Sequence, residues 1–231
     1  MSLTKREDNS HFISLSDMMT ALMMIFLFIS VAIIHNTQKQ TVVVREIVET
    51  YSDQQTNMYR DFRKEFEKDL SKWKAELNPD DLSIVFTSPE VLFDTGKDSL
   101  KPKFQEMLSD FFPRYIKIIQ RHKDHIQEVR IEGYTDTNGL PGQTKQESYF
   151  YNMKLSQDRT RSVLEYCLGL STFSAEDFDY LKEVITANGL SFSRLIKDSE
   201  GRENKAASRR VEFRVLMKSD DNIKNIIQEL K

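Results

Sequence analysis

Cysteine is almost absent from this chain. Cys167 is the one example in 231 residues, so no disulfide framework can form within it. Proline and glycine are scarce too, at five and seven residues, and neither occurs between His35 and Asn78. That excludes a turn-rich segment there and favours continuous helix. A strong excess of one charge is also missing. With 33 basic and 36 acidic side chains the formal net charge is −3, and no direct nucleic-acid partner is expected. No Ser-His-Asp or Cys-His pattern stands out, and Cys167 lies in the apolar stretch "VLEYCLGL", which fits a core position. His122 and His125 of "RHKDH" are one helical turn apart, but the charges around them fit a solvated helix end, so no metal or other cofactor is expected. Glu132 and Asp136 could form a hydrolase pair only on paper, because they lie in or just after a strand. The chain is not expected to be an enzyme.

What is present is one long apolar run. From Phe12 to Ile34 the only charged residue is Asp17. As a helix this stretch would be roughly 34 Å long, enough to cross a hydrocarbon core of about 30 Å. A cleaved signal peptide would need a small-residue site, and "SVAIIHNTQKQ" offers a poor one, so a retained anchor in the lipid bilayer is expected. Basic residues flank both ends, Lys5 and Arg6 before and Lys39 and Arg45 after. Because a large folded domain can be translocated whatever its charge, the simpler topology is single-pass, with a cytoplasmic N-terminus and the C-terminal domain outside.

Asp17 admits two readings. It can cap the helix at the water boundary, as Ser14 and Ser16 also could. Alternatively, because Phe12, Ile13 and Leu15 precede it, it lies within lipid depth. An ionised carboxylate there costs on the order of 2.5 to 3.5 kcal/mol and tends to mark an ion path or a buried partner. Thr20, three residues on and on the same face, either bonds that carboxylate or ion, or bonds its own backbone. Met18, Met19, Met23 and Met24 suit flexible packing against a partner.

The expected organisation is a tail over residues 1–11, a span over 12–34, a helical linker over 35–78, a mixed α/β domain over 79–218 and a helical tail over 219–231. In the linker, Met58, Phe62, Phe66, Leu70, Trp73 and Leu77 draw one helical stripe, which Val44, Ile47 and Tyr51 extend less cleanly. The stripe packs either on its own domain or against a second copy. Pro79 is expected to end the helix. Beyond it, "LSIVF" (Leu82 to Phe86), "EVRIEGY" (Glu128 to Tyr134) and "SRRVEFRVLM" (Ser208 to Met217) read as strands, the last with Arg210, Glu212 and Arg214 on a solvated face. Pro102 to Ile119 and Ser156 to Leu170 read as helices. The fold class is α+β: a transmembrane helix, a helical linker, then a sandwich of a mixed sheet with helices on one face.

Four stretches of this domain, "VLFDTGKDSLKP", "IEGYTDTNG", "YNMKLSQDRTRSV" and "SRRVEF", resemble in order the motifs of the OmpA-like domain that binds peptidoglycan. The resemblance implies a pocket for the diaminopimelate of the peptide stem. Asp136 would receive its ammonium and Arg159 would fork onto its carboxylate. Asn152 would bond loop backbone beside the pocket; of Arg209 and Arg210, one would line the pocket and the other the solvent face. The alternative to a pocket is a surface ion pair between Asp136 and Arg159 that needs no ligand. The loop between Asp136 and Asn152 is longer than usual in that family, and Thr160 stands where Ala or Ser is usual.

The span, "SDMMTALMMIFLF", resembles the transmembrane helix of MotB-like stator subunits, and its combination with an OmpA-like domain is the MotB layout. The linker and the long loop look closer to the ZorB branch, from the Zorya anti-phage system, than to the flagellar one. This resemblance implies a homodimer inside a ring of five MotA-, ExbB- or ZorA-like subunits, in the bacterial inner membrane with its C-terminal domain periplasmic. Asp17, with Thr20 beside it, would pass an ion, H+ in preference to Na+. A passive tether between membrane and wall, an accessory protein of a secretion machine and a flagellar-type stator remain as alternatives.

Overall fold

The computed structural model describes residues 4–87 and 89–218, so the expected helical tail over 219–231 lies outside the described residues. The first helix is α1 (Thr4–Trp73). Two compact units divide at Tyr51 and Ser52. In the first, a 23-residue apolar stretch, Asp17–Lys39, is long enough to cross a membrane and none of it is buried. Beyond its most apolar part, the Thr37 and Thr41 hydroxyls donate back to the carbonyls of Ile33 and Thr37, each at 2.9 Å, so these polar groups are satisfied within the helix.

In the second unit the last turns of α1 are part of the core. Met58, Phe62, Phe66 and Trp73 are buried. Phe62 stacks on Tyr115, and Phe66 and Trp73 close on Phe111 at 5.2 and 5.9 Å between ring centroids. This part of the stripe therefore packs on its own domain, whereas Ile47, upstream, is exposed.

The helix stops at Trp73, five residues short of the expected Asn78. Lys74 takes a left-handed conformation with φ of 50°, and Ala75–Asn78 becomes a strand, β1. The reason is pairing: β1 lies antiparallel to β2 (Ser83–Phe86), with Ala75 opposite Phe86 and Leu77 opposite Ile84. Leu77 thus belongs to the sheet. Pro79 sits in the turn between the strands, where the Gln55 side chain donates to the carbonyls of Pro79 and Asp80.

After a short helical turn, α2 (Pro89–Leu92), come α3 (Pro102–Arg121) and β3 (Ile126–Tyr134). Then follow α4 (Lys145–Leu168), α5 (Ala175–Val184), β4 (Ile185–Gly189), α6 (Lys205–Ser208) and β5 (Arg210–Met217). The sheet order is β1-β2-β5-β3-β4. Only β3 and β4 are parallel, joined through α4 and α5, so the sheet is mixed as expected. Along β5, Val211, Phe213, Val215 and Met217 face the core.

The opposite face of β5 is not solvated. Arg210 is 6% exposed and Glu212 4%, because Arg210 Nε donates to Glu212 Oε1 at 2.6 Å and the Arg210 guanidinium lies 3.8 Å from the Tyr134 ring centre. Glu132, opposite Glu212 across the strands, is equally buried and meets Arg214 Nε at 3.2 Å. Alternation along the strand holds, but the polar side chains bury one another.

Candidate functional site

The pocket is built where α4 crosses the ends of β3 and β4. Two glycines allow the approach. A Cβ on Gly189 would lie 2.2 Å from the Gln157 backbone nitrogen, and one on Gly133 would meet Thr160 Cγ2 at 2.6 Å. Along α4 the buried stripe is small and polar, Ser148, Asn152, Ser156 and Thr160, each one turn from the next. The helix starts at Lys145, well before the expected Ser156. Thr144 caps it, its hydroxyl accepting from the Glu147 amide while the Glu147 carboxylate accepts from the Thr144 amide at 2.7 Å.

Asp136, Asn152, Arg159, Arg209 and Arg210 all line one cavity of about 540 Å³, together with Phe93, Asp94, Lys101 and Tyr151. Asp136 follows β3 and is buried. It does not pair with Arg159. Its carboxylate instead accepts from Arg209 Nη1, from the Asn138 amide at 3.0 Å and from Asn138 Nδ2 at 3.1 Å. Asn152 Nδ2 donates to the carbonyls of Asn138 at 2.8 Å and Ser148 at 3.0 Å, which ties the turn after Asp136 to α4. Arg210, expected in part on a solvent face, lies on the cavity wall with its charge met by Glu212.

Arg159 differs from the other arginines of the cavity. Its Nε and Nη2 donate to the backbone carbonyls of Lys97 at 2.8 Å and Asp94 at 3.0 Å, and its guanidinium sits 4.7 Å from the Phe93 ring centre. It forms no ion pair among the described residues. Burial pushes it down to about 10, with the nearby Arg209 adding to the effect and Tyr151 and Asp136 opposing it. A half-buried cation held by carbonyl dipoles and a ring, with no direct ion pair, has the chemistry to receive an anion.

The turn that carries Asp136 is held from a segment remote in sequence. Glu203 accepts from the Thr137 amide at 3.0 Å and from the Thr137 hydroxyl at 2.5 Å. Lys205 Nζ donates to Asn138 Oδ1 at 2.7 Å. The Thr135 amide donates to the Ser191 carbonyl at 2.9 Å, and the Ser191 amide to Ser156 Oγ at 3.0 Å. Ser191, Glu203 and Lys205 lie outside the stretches that stand out in the sequence.

The second candidate site is the start of the apolar stretch. Asp17 and Thr20 are exposed on α1, as are Met18, Met19, Met23 and Met24. The expected upstream apolar side chains, Phe12, Ile13 and Leu15, lie outside the described side chains. Among the described residues no group of three or more His, Cys, Asp or Glu is placed to hold a metal ion.

Comparison with known proteins places these sites in context. The model of the OmpA family matches residues 92–212. The Zorya protein ZorB of Escherichia coli strain Crooks is 41% identical over 225 residues, covering 97% of this chain and 95% of that protein. A second Zorya protein ZorB, from Escherichia coli O139:H28, is 28% identical, covering 88% of this chain and 78% of that protein. Among solved structures, a MotB-like protein from Desulfovibrio vulgaris superposes with a TM-score of 0.51 at 23% identity, covering 75% of this chain and 94% of that one, a likeness of fold.

Proposed function

The chain belongs to the ZorB family and its mixed-sheet domain to the OmpA family, and from that premise we propose that it is a stator-type subunit of the inner membrane fastened to peptidoglycan. Residues 12–34 cross the membrane once, with the N-terminus cytoplasmic, and the domain from 79 to 218, with the last turns of α1 in its core, lies in the periplasm. The pocket takes the diaminopimelate of the peptide stem. Its carboxylate goes to Arg159, which has a charge to give. Its ammonium goes to Asp136, which shares its carboxylate with Arg209 until the ligand arrives.

Two copies sit within a ring of five MotA- or ZorA-like subunits. Each Asp17 takes up a proton from outside and releases it inside, with Thr20 one turn away on the same face. Each charge crossing the field is worth about 2.3 kcal/mol per 100 mV, which turns the ring while the wall-bound domains hold the dimer still. The work serves anti-phage defence, as the resemblance to the Zorya system implies.

The observation that carries this reading is the apolar stretch Asp17–Lys39, none of it buried, whose first residue is a carboxylate. A soluble protein does not leave such a surface in water, and because α1 begins at Thr4, Asp17 is not the helix N-cap that a passive anchor could use. The test is Asp17→Asn in cells expressing the chain with its ring-forming partner. Loss of protection against phage and of proton flux, with sacculus binding unchanged, is expected. A fully active Asp17→Asn protein would reduce the chain to a tether between membrane and wall.

A further inference from the structure

Three side chains from one short segment, Glu203, Lys205 and Arg209, land on three consecutive residues of the turn that carries the pocket carboxylate. Glu203 holds Thr137 by both its amide and its hydroxyl, at 3.0 and 2.5 Å. Lys205 holds Asn138 Oδ1 at 2.7 Å, and Arg209 holds Asp136 itself. Asn138 in turn donates twice to Asp136, so the clamp reaches the carboxylate through one intermediate residue.

Asn152 Nδ2 and Ser148 Oγ hold carbonyls of this turn, those of Asn138 and Thr137, whereas the Thr137 amide goes to Glu203. Residues 135–144 are the non-helical connection between β3 and α4. The neighbouring Leu140 is exposed, and Gly142 takes a φ of 83°. A loop of this kind samples several conformations unless its backbone donors are engaged. Glu203 engages one of those donors with a charged acceptor, the stronger kind of hydrogen bond. We propose that Glu203 is a positioning residue of the wall-binding pocket: it does not touch the ligand but holds the Thr137 backbone, and through it Asp136, in the orientation that receives the ligand ammonium. This rests on the pocket reading given above. It also explains why the pocket tolerates a long loop, since the stretch is pinned at its start by Glu203 and at its end by the Thr144 cap.

The test uses the full chain in detergent and a stem tetrapeptide containing meso-diaminopimelate, with affinity read by calorimetry and amide hydrogen exchange read across residues 135–140. In Glu203→Ala, exchange at Thr137 and Asn138 is expected to rise while that of β3 stays unchanged, and affinity to fall about tenfold, the size of one lost hydrogen bond to a charged group. Glu203→Gln is expected to restore affinity to within about threefold, because its amide can accept from the Thr137 amide and donate to the Thr137 hydroxyl. Glu203→Ala combined with Thr137→Val should lose no more than the worse of the two alone. Unchanged exchange or unchanged affinity in Glu203→Ala overturns the inference, as does a Glu203→Gln protein no better than Glu203→Ala. Arg159→Ala separates the two claims. If it binds as tightly as the parent, or if the parent does not bind the peptide, the pocket reading falls; if it loses binding while Glu203→Ala does not, only the positioning role falls.

Discussion

Phe62 of α1 and Tyr115 of α3 lie ring on ring, their centroids 5.3 Å apart and their planes 5° from parallel. The pair makes the end of α1 a structural member of the domain rather than a lead-in to it. Phe62→Ala is therefore expected to cost about 3 to 5 kcal/mol, the range for removing a buried aromatic. A fragment that begins at residue 79 lacks Met58, Phe62, Phe66 and Trp73 altogether and is expected to stay unfolded. Urea titration of the full chain, followed by the fluorescence of Trp73, its one tryptophan, measures the first effect. Circular dichroism of fragments starting at 52 and at 79 measures the second.

On the other face of the sheet, Glu132 and Glu212 face each other across β3 and β5, with Arg214 bridging them. Burial lowers the Arg214 value, but its hydrogen bond to Glu212 and the charges of Glu132 and Asp81 outweigh that and hold the guanidinium above its usual range. Arg214→Met leaves two like charges buried side by side, with an expected cost of about 3 to 5 kcal/mol. Arg161→Met, which removes an exposed pair with Asp158 and Glu165, is expected to cost about 0 to 1 kcal/mol. Denaturation midpoints of the two variants side by side provide the measurement.

Thr144→Ala removes the cap of α4 and is expected to lower the Tm by about 2 to 4 °C at neutral pH. Hydrogen bonds from the Thr144 amide and hydroxyl hold the Glu147 carboxyl below its usual value of 4.5. A carboxylate favoured in this way adds stability that is full above the unfolded value and is lost as pH falls through the lower folded one. The gap between parent and Thr144→Ala should accordingly narrow below about pH 4, which thermal melts from pH 7 to pH 3 would reveal.

Arg159 is pushed down to about 10 by burial, so it stays charged through the neutral range. Because an anion binds the protonated form, affinity for sacculi is expected to be flat from about pH 6 to 9. Arg159→Lys gives up the two-carbonyl fork and the contact with Phe93, and is expected to bind about tenfold more weakly at pH 7. Pelleting with sacculi across the pH range, with circular dichroism as a control on folding, measures both.

The parts of the fold that could be read in advance are those with a hydrophobic period. Val211, Phe213, Val215 and Met217 announce β5, and the apolar face of α3 announces that helix. The first half of α4 was illegible for a physical reason. Its buried stripe, Ser148, Asn152, Ser156 and Thr160, is polar because it lies against glycines, so no apolar period marks it. The capping boxes at Thr144–Glu147 and Ser174–Asp177 were the available signals for α4 and α5. The end of α1 was misread because Leu77 continues the helical spacing by coincidence, while pairing with β2 claims it for the sheet. In the pocket, motif residues could be assigned but their partners could not. Which of Arg159 and Arg209 meets Asp136 depends on where the segments 94–97 and 203–209, remote from it in sequence, fold back.

Cys167 is the only thiol in the chain, and it is sealed in the core, where burial raises its value well above the ordinary one. The native protein therefore serves as its own background for thiol chemistry. A cysteine introduced at an exposed position such as Ile47 would be the sole accessible reagent target, so oxidative cross-linking in intact cells would report which copies lie side by side without first rebuilding the molecule.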